Sequence, residues 1–341
     1  MTLDLEDIAR LAGVSRSTVS RVLNNRPDVK ESTRQRVLKI IEQHNYHPNN
    51  LARALVTQRT RILSLVIPQP IVDVFTEPYN PIVIQGVTVE ASQSDYAVML
   101  WMGSSTEEEQ RFCDRILSND QFDGLIMISS LADDPIVKRL AQAHFPFLLL
   151  GPPPVEGINF INTDNFGGAR EAVLHLIDLD WQRIGMITGP ETLLAARDRL
   201  AGYYDAMQAA GRLIDPALVV EGGYGEAAGY QAMLTLIDRG ADAVFVSSDV
   251  MALGALRAAQ DSGRRVPDDL GIVGFDDIPS AATSSPALTT VHQPIQDLGG
   301  VATRTLINIL DGSLEEPHQE ILPTELIVRE TCGASRKGSQ H

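Results

Sequence analysis

The chain of 341 residues holds only two cysteines, Cys113 and Cys332, far apart in sequence. They allow no disulfide framework and no thiolate metal spacing, and such usage suits a reducing compartment. Aromatic residues make up only 5% of the chain. No apolar run approaches the roughly 18 residues a membrane span needs, so no membrane partner is expected. The opening "MTLDLEDIAR" is acidic and has no apolar stretch, which reads against a secretory leader. Cations are scarce: 28 Lys and Arg stand against 44 Asp and Glu, a formal net charge of -16. The sequence has no G-x-S-x-G elbow, no H-E-x-x-H pair, no short-period repeat and no low-complexity segment. What it does have is 44% hydrophobic residues and a length that suggests two or three domains with sizeable cores.

The few cations are unevenly placed. Residues 1–60 hold 10 Lys and Arg against 6 Asp and Glu, while the remainder holds 18 against 38. A basic head on an acidic body is expected of a protein that meets a polyanion with one end only.

The head reads as three short helices. In "DLEDIARLAG", Asp4 can cap the first turn, Leu5, Ile8, Ala9 and Ala12 recur at helical spacing, and Gly13 can end the helix. Ser15 can cap a second helix from Arg16 to about Asn24. On it Val19, Val22 and Leu23 share one side, and Arg16, Ser17, Ser20 and Arg21 the other. A third helix is expected from near Asp28, where Asp28 and Glu31 make a capping-box pattern. Val37, Ile40 and Ile41 form its apolar stripe, with His44 continuing it. Two short helices about a glycine turn, followed by a third, make a helix-turn-helix head. The N-terminal end of its second helix would enter the DNA major groove, where an arginine can pair with guanine O6 and N7. The competing reading of each arginine is a solvated face.

At residues 9–24 the run A-x-x-A-G-V-S-x-x-T-V-S-R-V-L-N is unbroken. It resembles the head of the LacI/GalR family of bacterial transcription repressors. "HPNNLARALVTQ", residues 47–58, resembles that family's hinge helix, with Leu55 matching the leucine pushed into the minor groove at the operator centre. The resemblance implies DNA contacts from Arg16, Ser17, Ser20, Arg21, Asn24, Lys30, Asn49, Arg53 and Leu55. The competing role for Leu55 is a core or interface leucine.

Beyond residue 60, short apolar runs alternate with helical segments: "ILSLVI", "YAVMLW", "DGLIMIS", "FPFLLLG", "INFINT", "RIGMITG", "DAVFVSS" and "LGIVGFDD". That is a parallel α/β pattern, long enough for two lobes. "TDNFGGAREAVLHLIDLDWQRIGMITGP", "ARDRLAGYYDAM", "SSDVMALGALRAAQDSGRRVPDDLGIVGFDD", "ALTTVHQP" and "LPTELIVRE" extend the family resemblance across the body. The implied fold class is an all-α helix-turn-helix head followed by a two-lobed α/β body like that of periplasmic sugar-binding proteins. The expected domains are 1–47 for DNA binding, 48–60 for the hinge and 61–333 for effector binding and dimerisation, with a tail at 334–341. Within the body, lobe one takes about 62–162 and 292–321, and lobe two about 163–291 and 322–333. Crossings are placed near Asn162–Asp164, Val291–Gln293 and Leu322–Pro323.

The resemblance also implies effector contacts. Arg199, Tyr224, Ser248 and Asp276 match the family's ligand positions in lobe two, and Gln69, Tyr79 and Asn80 follow the first strand of lobe one. The competing reading of Arg199 is a pair with an acid such as Asp198, of Asp276 a cap, and of Tyr224 a packing aromatic. Pro152 stands after Gly151 where many members carry a charge, which puts a sugar contact from that loop in doubt. "LDW" at 179–181 reads as scaffold.

The resulting expectation is a non-enzymatic regulator, a repressor, in a bacterial cytoplasm and nucleoid-associated when operator-bound. A sugar or sugar derivative would control it, with no metal and no cofactor. The tail "CGASRKGSQH" lacks a leucine repeat, so a homodimer on double-stranded operator DNA is expected. Rivals are a nucleobase- or nucleoside-responsive corepressor type, an activator and a ligand carrier. A further rival is a dinucleotide-binding redox sensor or enzyme, suggested by G-x-G-x-x-A at 223–228 and by Asp242 further on.

Overall fold

The computed structural model describes residues 3–23, 26–44, 59–103, 113–114, 116–117, 121–128, 131–223 and 225–334. The chain divides into two compact units, Met1–Arg61 and Ile62–His341.

The described part of the first unit is helical. Asp4 caps α1 (Leu5–Ala12): its carboxylate accepts from the Asp7 N–H at 2.8 Å, and Asp7 accepts from the Asp4 N–H at 3.1 Å. Gly13 ends α1 in the left-handed region at φ 63°, where a Cβ would be strained. The tight turn brings Ser15 to cap α2 (Arg16–Leu23), its hydroxyl accepting from the Thr18 N–H at 3.2 Å. With α3 (Glu31–Gln43) these helices bury Ile8, Ala9, Ala12, Val19, Val22 and Val37.

Two expectations fail in α3. Asp28 and Glu31 form no capping box; the helix begins at Glu31, and Lys30 holds the cap position without a side-chain bond. Val29 packs against the head core and draws the preceding turn inward, which leaves Asp28 exposed, 3.7 Å from Arg21. His44 does not extend the apolar stripe but sits exposed at the C-terminal cap.

The second unit holds two parallel sheets. The first contains β1 (Ile62–Ile67), β2 (Ala97–Met102), β3 (Gly124–Ile128), β4 (Phe147–Leu150), β5 (Phe160–Thr163) and β11 (Gln319–Leu322), in the order β11-β5-β4-β3-β1-β2. The second contains β6 (Ile184–Thr188), β7 (Val219–Glu221), β8 (Ala243–Val246), β9 (Gly271–Asp276), β10 (Thr289–His292) and β12 (Glu325–Ile327), in the order β12-β10-β9-β8-β6-β7. Among these pairings only β12 with β10 is antiparallel. Inner strands such as β4, "FLLL", and β8, "AVFV", are buried along their whole length because helices cover both sheet faces.

In the first lobe those helices are α4 (Ile71–Thr76), α5 (Tyr79–Gln93) and α6 (Pro135–Gln142). In the second they are α7 (Asn165–Asp178), α8 (Leu194–Ala209), α9 (Glu226–Asp238), α10 (Asp249–Asp261) and α11 (Pro279–Thr283). The helix α12 (Ile295–Leu310) returns to the first lobe, where Leu298, Ala302 and Leu306 join the core of β1, β3 and β4. Trp181, of "LDW", is buried in the second lobe, and its indole N–H donates to the Cys332 carbonyl at 2.9 Å. Close helix packing depends on glycine. A Cβ on Gly254 of α10 would lie 2.0 Å from the Glu226 carbonyl oxygen of α9, and one on Gly229 of α9 would lie 2.1 Å from the Met251 carbonyl oxygen.

The chain crosses between lobes three times, from β5 into α7, from β10 into α12 and from β11 into β12. The loops at the carboxyl ends of the parallel strands therefore meet at one junction, where open α/β sheets place their ligands. Among the described residues no helix is long and apolar enough to cross a membrane.

Candidate functional site

On the first unit, α2 turns Val19 and Val22 inward and Arg16, Ser17 and Arg21 outward, with Ser20 half-buried between them. The Arg16 and Arg21 side chains are 64% and 58% exposed. Their nearest acids, Glu6 at 3.9 Å and Asp28 at 3.7 Å, are equally exposed, and such pairs hold little. Both guanidiniums are therefore available to another anion. Lys30 is exposed just before α3. Asn24, Asn49, Arg53 and Leu55 lie outside the described residues, as does Tyr224.

On the second unit, a cleft of about 420 Å³ opens between the lobes. Gln69, Tyr79, Asn80, Arg199, Ser248 and Asp276 all line it. The first lobe brings Gln69 from the loop after β1 and Tyr79 and Asn80 from the start of α5. The second brings Arg199 from α8, Ser248 from the cap of α10 and Asp276 from the end of β9.

Arg199 is the centre of the polar side and is only 6% exposed. Its Nε donates to Asn165 Oδ1 at 2.8 Å, and Nη1 donates to the Ser247 carbonyl. The guanidinium lies 3.7 Å above the Phe275 ring and 3.6 Å from Asp276 Oδ1. Its acidic partner is therefore Asp276 and not the sequence neighbour Asp198. Asp276 accepts from Gln293 Nε2 at 2.5 Å, and Gln293 accepts from the Thr163 hydroxyl at 3.0 Å. Asn165 in turn donates to Asn162 at 3.1 Å. The polar chain thus runs from β5 through two crossing segments and back. Burial pushes the Asp276 carboxyl up to about 6, while Arg199 and Gln293 pull it down.

Asn162, Thr163, Asn165 and Gln293 line the cleft and were not singled out from sequence. The signal was their place at the crossings, since a polar residue there stands between both lobes. On the first-lobe side, Asn80 Nδ2 donates to Gln69 at 2.9 Å, but Asn80 Oδ1 is buried without a partner. A buried acceptor left open at a cleft is suited to a ligand donor. Ile128, Leu150, Pro152 and Leu298 give the cleft an apolar wall. Pro152 thus lines the cleft as an apolar group and offers it no charge. Converging donors and acceptors beside an apolar wall fit a small polyhydroxylated molecule with C–H faces.

Asp242 does not serve this cleft. It precedes β8, at the other end of the strand from Ser248, and its carboxylate accepts from the Gln182 and Arg183 N–H groups at 3.0 and 2.8 Å. The acid required by the dinucleotide reading is occupied in joining two strands. Among the described residues no group of three or more His, Cys, Asp or Glu could hold a metal ion.

Residues 4–49 match the family of bacterial regulatory proteins, lacI family, and residues 173–332 match the periplasmic binding protein-like domain. The HTH-type transcriptional regulator CelR of Thermobifida fusca is 39% identical over 332 residues, covering 96% of this chain and 97% of CelR. The solved transcriptional regulator CelR–cellobiose complex superposes with a TM-score of 0.77 at 37% identity, over 96% of this chain and 99% of that one. The lac repressor dimer bound to operator and the anti-inducer ONPF gives a TM-score of 0.83 at 29% identity, over 97% and 99% of the two chains. A head and a body that each match by themselves, and a relative alike along nearly its full length, lead to one conclusion: the chain belongs to the LacI family of bacterial regulatory proteins, DNA-binding regulators of transcription.

Proposed function

We propose that this protein is a cytoplasmic repressor whose homodimer binds a near-palindromic operator and releases it when a small sugar occupies the interlobe cleft. It acts by binding and not by catalysis. The observation that carries this is the buried chain Asn165–Arg199–Asp276–Gln293–Thr163, which spans both lobes at their crossings. A sugar's vicinal hydroxyls can exchange hydrogen bonds with such a pair of charged groups, while its C–H face lies on the wall of Ile128, Leu150 and Pro152. Ligand bound to both lobes favours one angle between them. By linkage, a sugar that weakens operator binding must itself bind the operator complex less well.

On the DNA side, Arg16, Ser17, Ser20 and Arg21 face base edges. Lys30 and Arg53 would meet phosphates or the groove, Leu55 would wedge the central step, and Asn24 and Asn49 complete the proposed set of DNA-binding residues. The acidic body adds no DNA contact, so affinity falls steeply with salt.

Duplexes selected from a random pool by the purified protein supply the operator, and fluorescence anisotropy measures its affinity with and without cellobiose. Cellobiose should weaken binding. If cellobiose and other di- and monosaccharides at millimolar concentration leave both affinity and melting temperature unmoved, the sugar reading fails. On the same duplex, Arg16→Ala should cost about 1–3 kcal/mol at one base position and little on random DNA. Equal losses on both would make Arg16 a phosphate contact.

A further inference from the structure

Asp249 is a fully buried carboxylate that does not line the cleft. It opens α10, one residue after Ser248. One carboxylate oxygen accepts from the Ile278 N–H at 3.0 Å, and the other meets the Thr290 hydroxyl at 2.5 Å. Gly274 on β9 makes room for it, since a Cβ there would fall 2.2 Å from Asp249 Oδ1. Between Gly274 and Ile278 stand Asp276 and Asp277, at φ 123° and 61°. Side chains other than glycine keep such backbone angles only where the surroundings enforce them. The Asp249–Ile278 bond pins the far end of that turn, and the Thr290 contact ties it to β10, the strand that leads to a crossing.

Charge sets a second constraint. Arg199 stands 3.6 Å from Asp276, while Asp277 faces away to Arg329 at 2.6 Å and His292 at 3.1 Å. Arg199 is thus paired with Asp276, whereas the partners of Asp249 among the described residues are neutral, the Ile278 N–H and the Thr290 hydroxyl. A buried charge without an opposite charge is costly, which favours the protonated carboxyl at Asp249. Arg199 is beside Asp276 and holds that group down. Burial first, and the charge of Asp276 second, push Asp249 well above the usual carboxylate range.

We infer that Asp249 is a positioning residue of the effector cleft: carrying a proton, it holds the strained Asp276–Asp277 turn, and its ionisation loosens that turn and weakens effector binding. The inference rests on the reading of Asp276 as an effector contact. A group whose proton is bound more tightly in the folded state lowers stability as pH rises towards its folded value.

The test compares full-length wild type, Asp249→Asn and Asp249→Ala. Without ligand, melting temperature is followed from about pH 5 to about pH 9, above the ordinary carboxylate range. The wild type should lose stability relative to Asp249→Asn as pH rises through this range, because the amide cannot ionise. Hydrogen exchange at Ile278 should stay protected in Asp249→Asn and accelerate in Asp249→Ala. Calorimetry with cellobiose should show Kd raised about tenfold or more by Asp249→Ala, as expected for losing a buried hydrogen bond, with most of it recovered in Asp249→Asn. Wild-type Kd should weaken towards pH 9, and that of Asp249→Asn should stay level. Parallel melting profiles for wild type and Asp249→Asn would overturn the proton, and equal damage from Asn and Ala would overturn the positioning. If cellobiose does not bind wild type, the sugar reading falls, while melting and exchange still decide the role of Asp249.

Discussion

Replacing Arg199 with alanine is expected to abolish the response to sugar and to destabilise the body by about 3–5 kcal/mol at pH 8, the usual loss when one partner of a buried ion pair is removed. The change strips Asp276 of its cation, leaves the Asn165 and Ser247 oxygens without their donor and uncovers the face of Phe275. The loss should depend on pH. Burial already lifts Asp276 to about 6 in the intact protein. Its folded form binds a proton more tightly than its unfolded form, so the contribution of this one group to stability falls as pH rises from about 4 through about 6 and is level beyond. Arg199 is what restrains that rise. Without it the titration moves higher and the fall continues above pH 6. Urea unfolding at about pH 5 and about pH 8 checks this: the variant should lie below wild type at both, and further below it at pH 8. Equal losses at both would show that Arg199 acts by its bulk and not by its charge.

Gly254→Val should cost about 3 kcal/mol, the upper end of what overpacking inflicts. A Cβ there would meet the Glu226 carbonyl oxygen at 2.0 Å and the Tyr230 nitrogen at 3.0 Å. Both are backbone atoms and cannot swing aside as a side-chain tip would. The α9–α10 pair must separate, taking Met251 and Ala255 out of the core they share with Met233. Gly225→Ala is the control, with open space around its added carbon, and should stay within about 1 kcal/mol of wild type. If Gly254→Val melts with the control, the helices are not held at the distance seen here.

Much of this was legible in the residues. The head's first two helices carry their own caps, Asp4, Gly13 and Ser15, so local chemistry alone marks their ends. The third did not follow its local pattern. Asp28 and Glu31 have the spacing of a capping box, but Val29 lies between them and the head core takes it. The long buried strands were plain as apolar runs. The strands β10, β11 and β12 were not among those runs: they have three or four residues each and mix Thr, Gln and Glu with aliphatics, so no period emerges. Arg199 and Asp276 could be expected at the cleft because they stand where a known pattern puts them, and both line it. Gln293 and Thr163 could not be. Neither shows any chemistry in its own neighbourhood; the bond between them spans 130 positions, and Gln293 reaches Asp276 across a further 17. The pairing of Arg199 with Asp276 is hidden for the same reason, since the two stand 77 positions apart (276 less 199).

The return of α12 and β11 to the first sheet also sets the order in which the molecule can be completed. The 131 residues between Thr163 and Ile295 must be synthesised before the helix that covers that sheet exists. At the ribosome's pace of about 5–20 residues per second, the apolar face of β1, β3 and β4 waits roughly 7–26 s for Leu298, Ala302 and Leu306. The second sheet grows meanwhile, yet its own edge strand β12 comes later still. A nascent chain halted at Pro294 would carry two open sheets and no finished lobe.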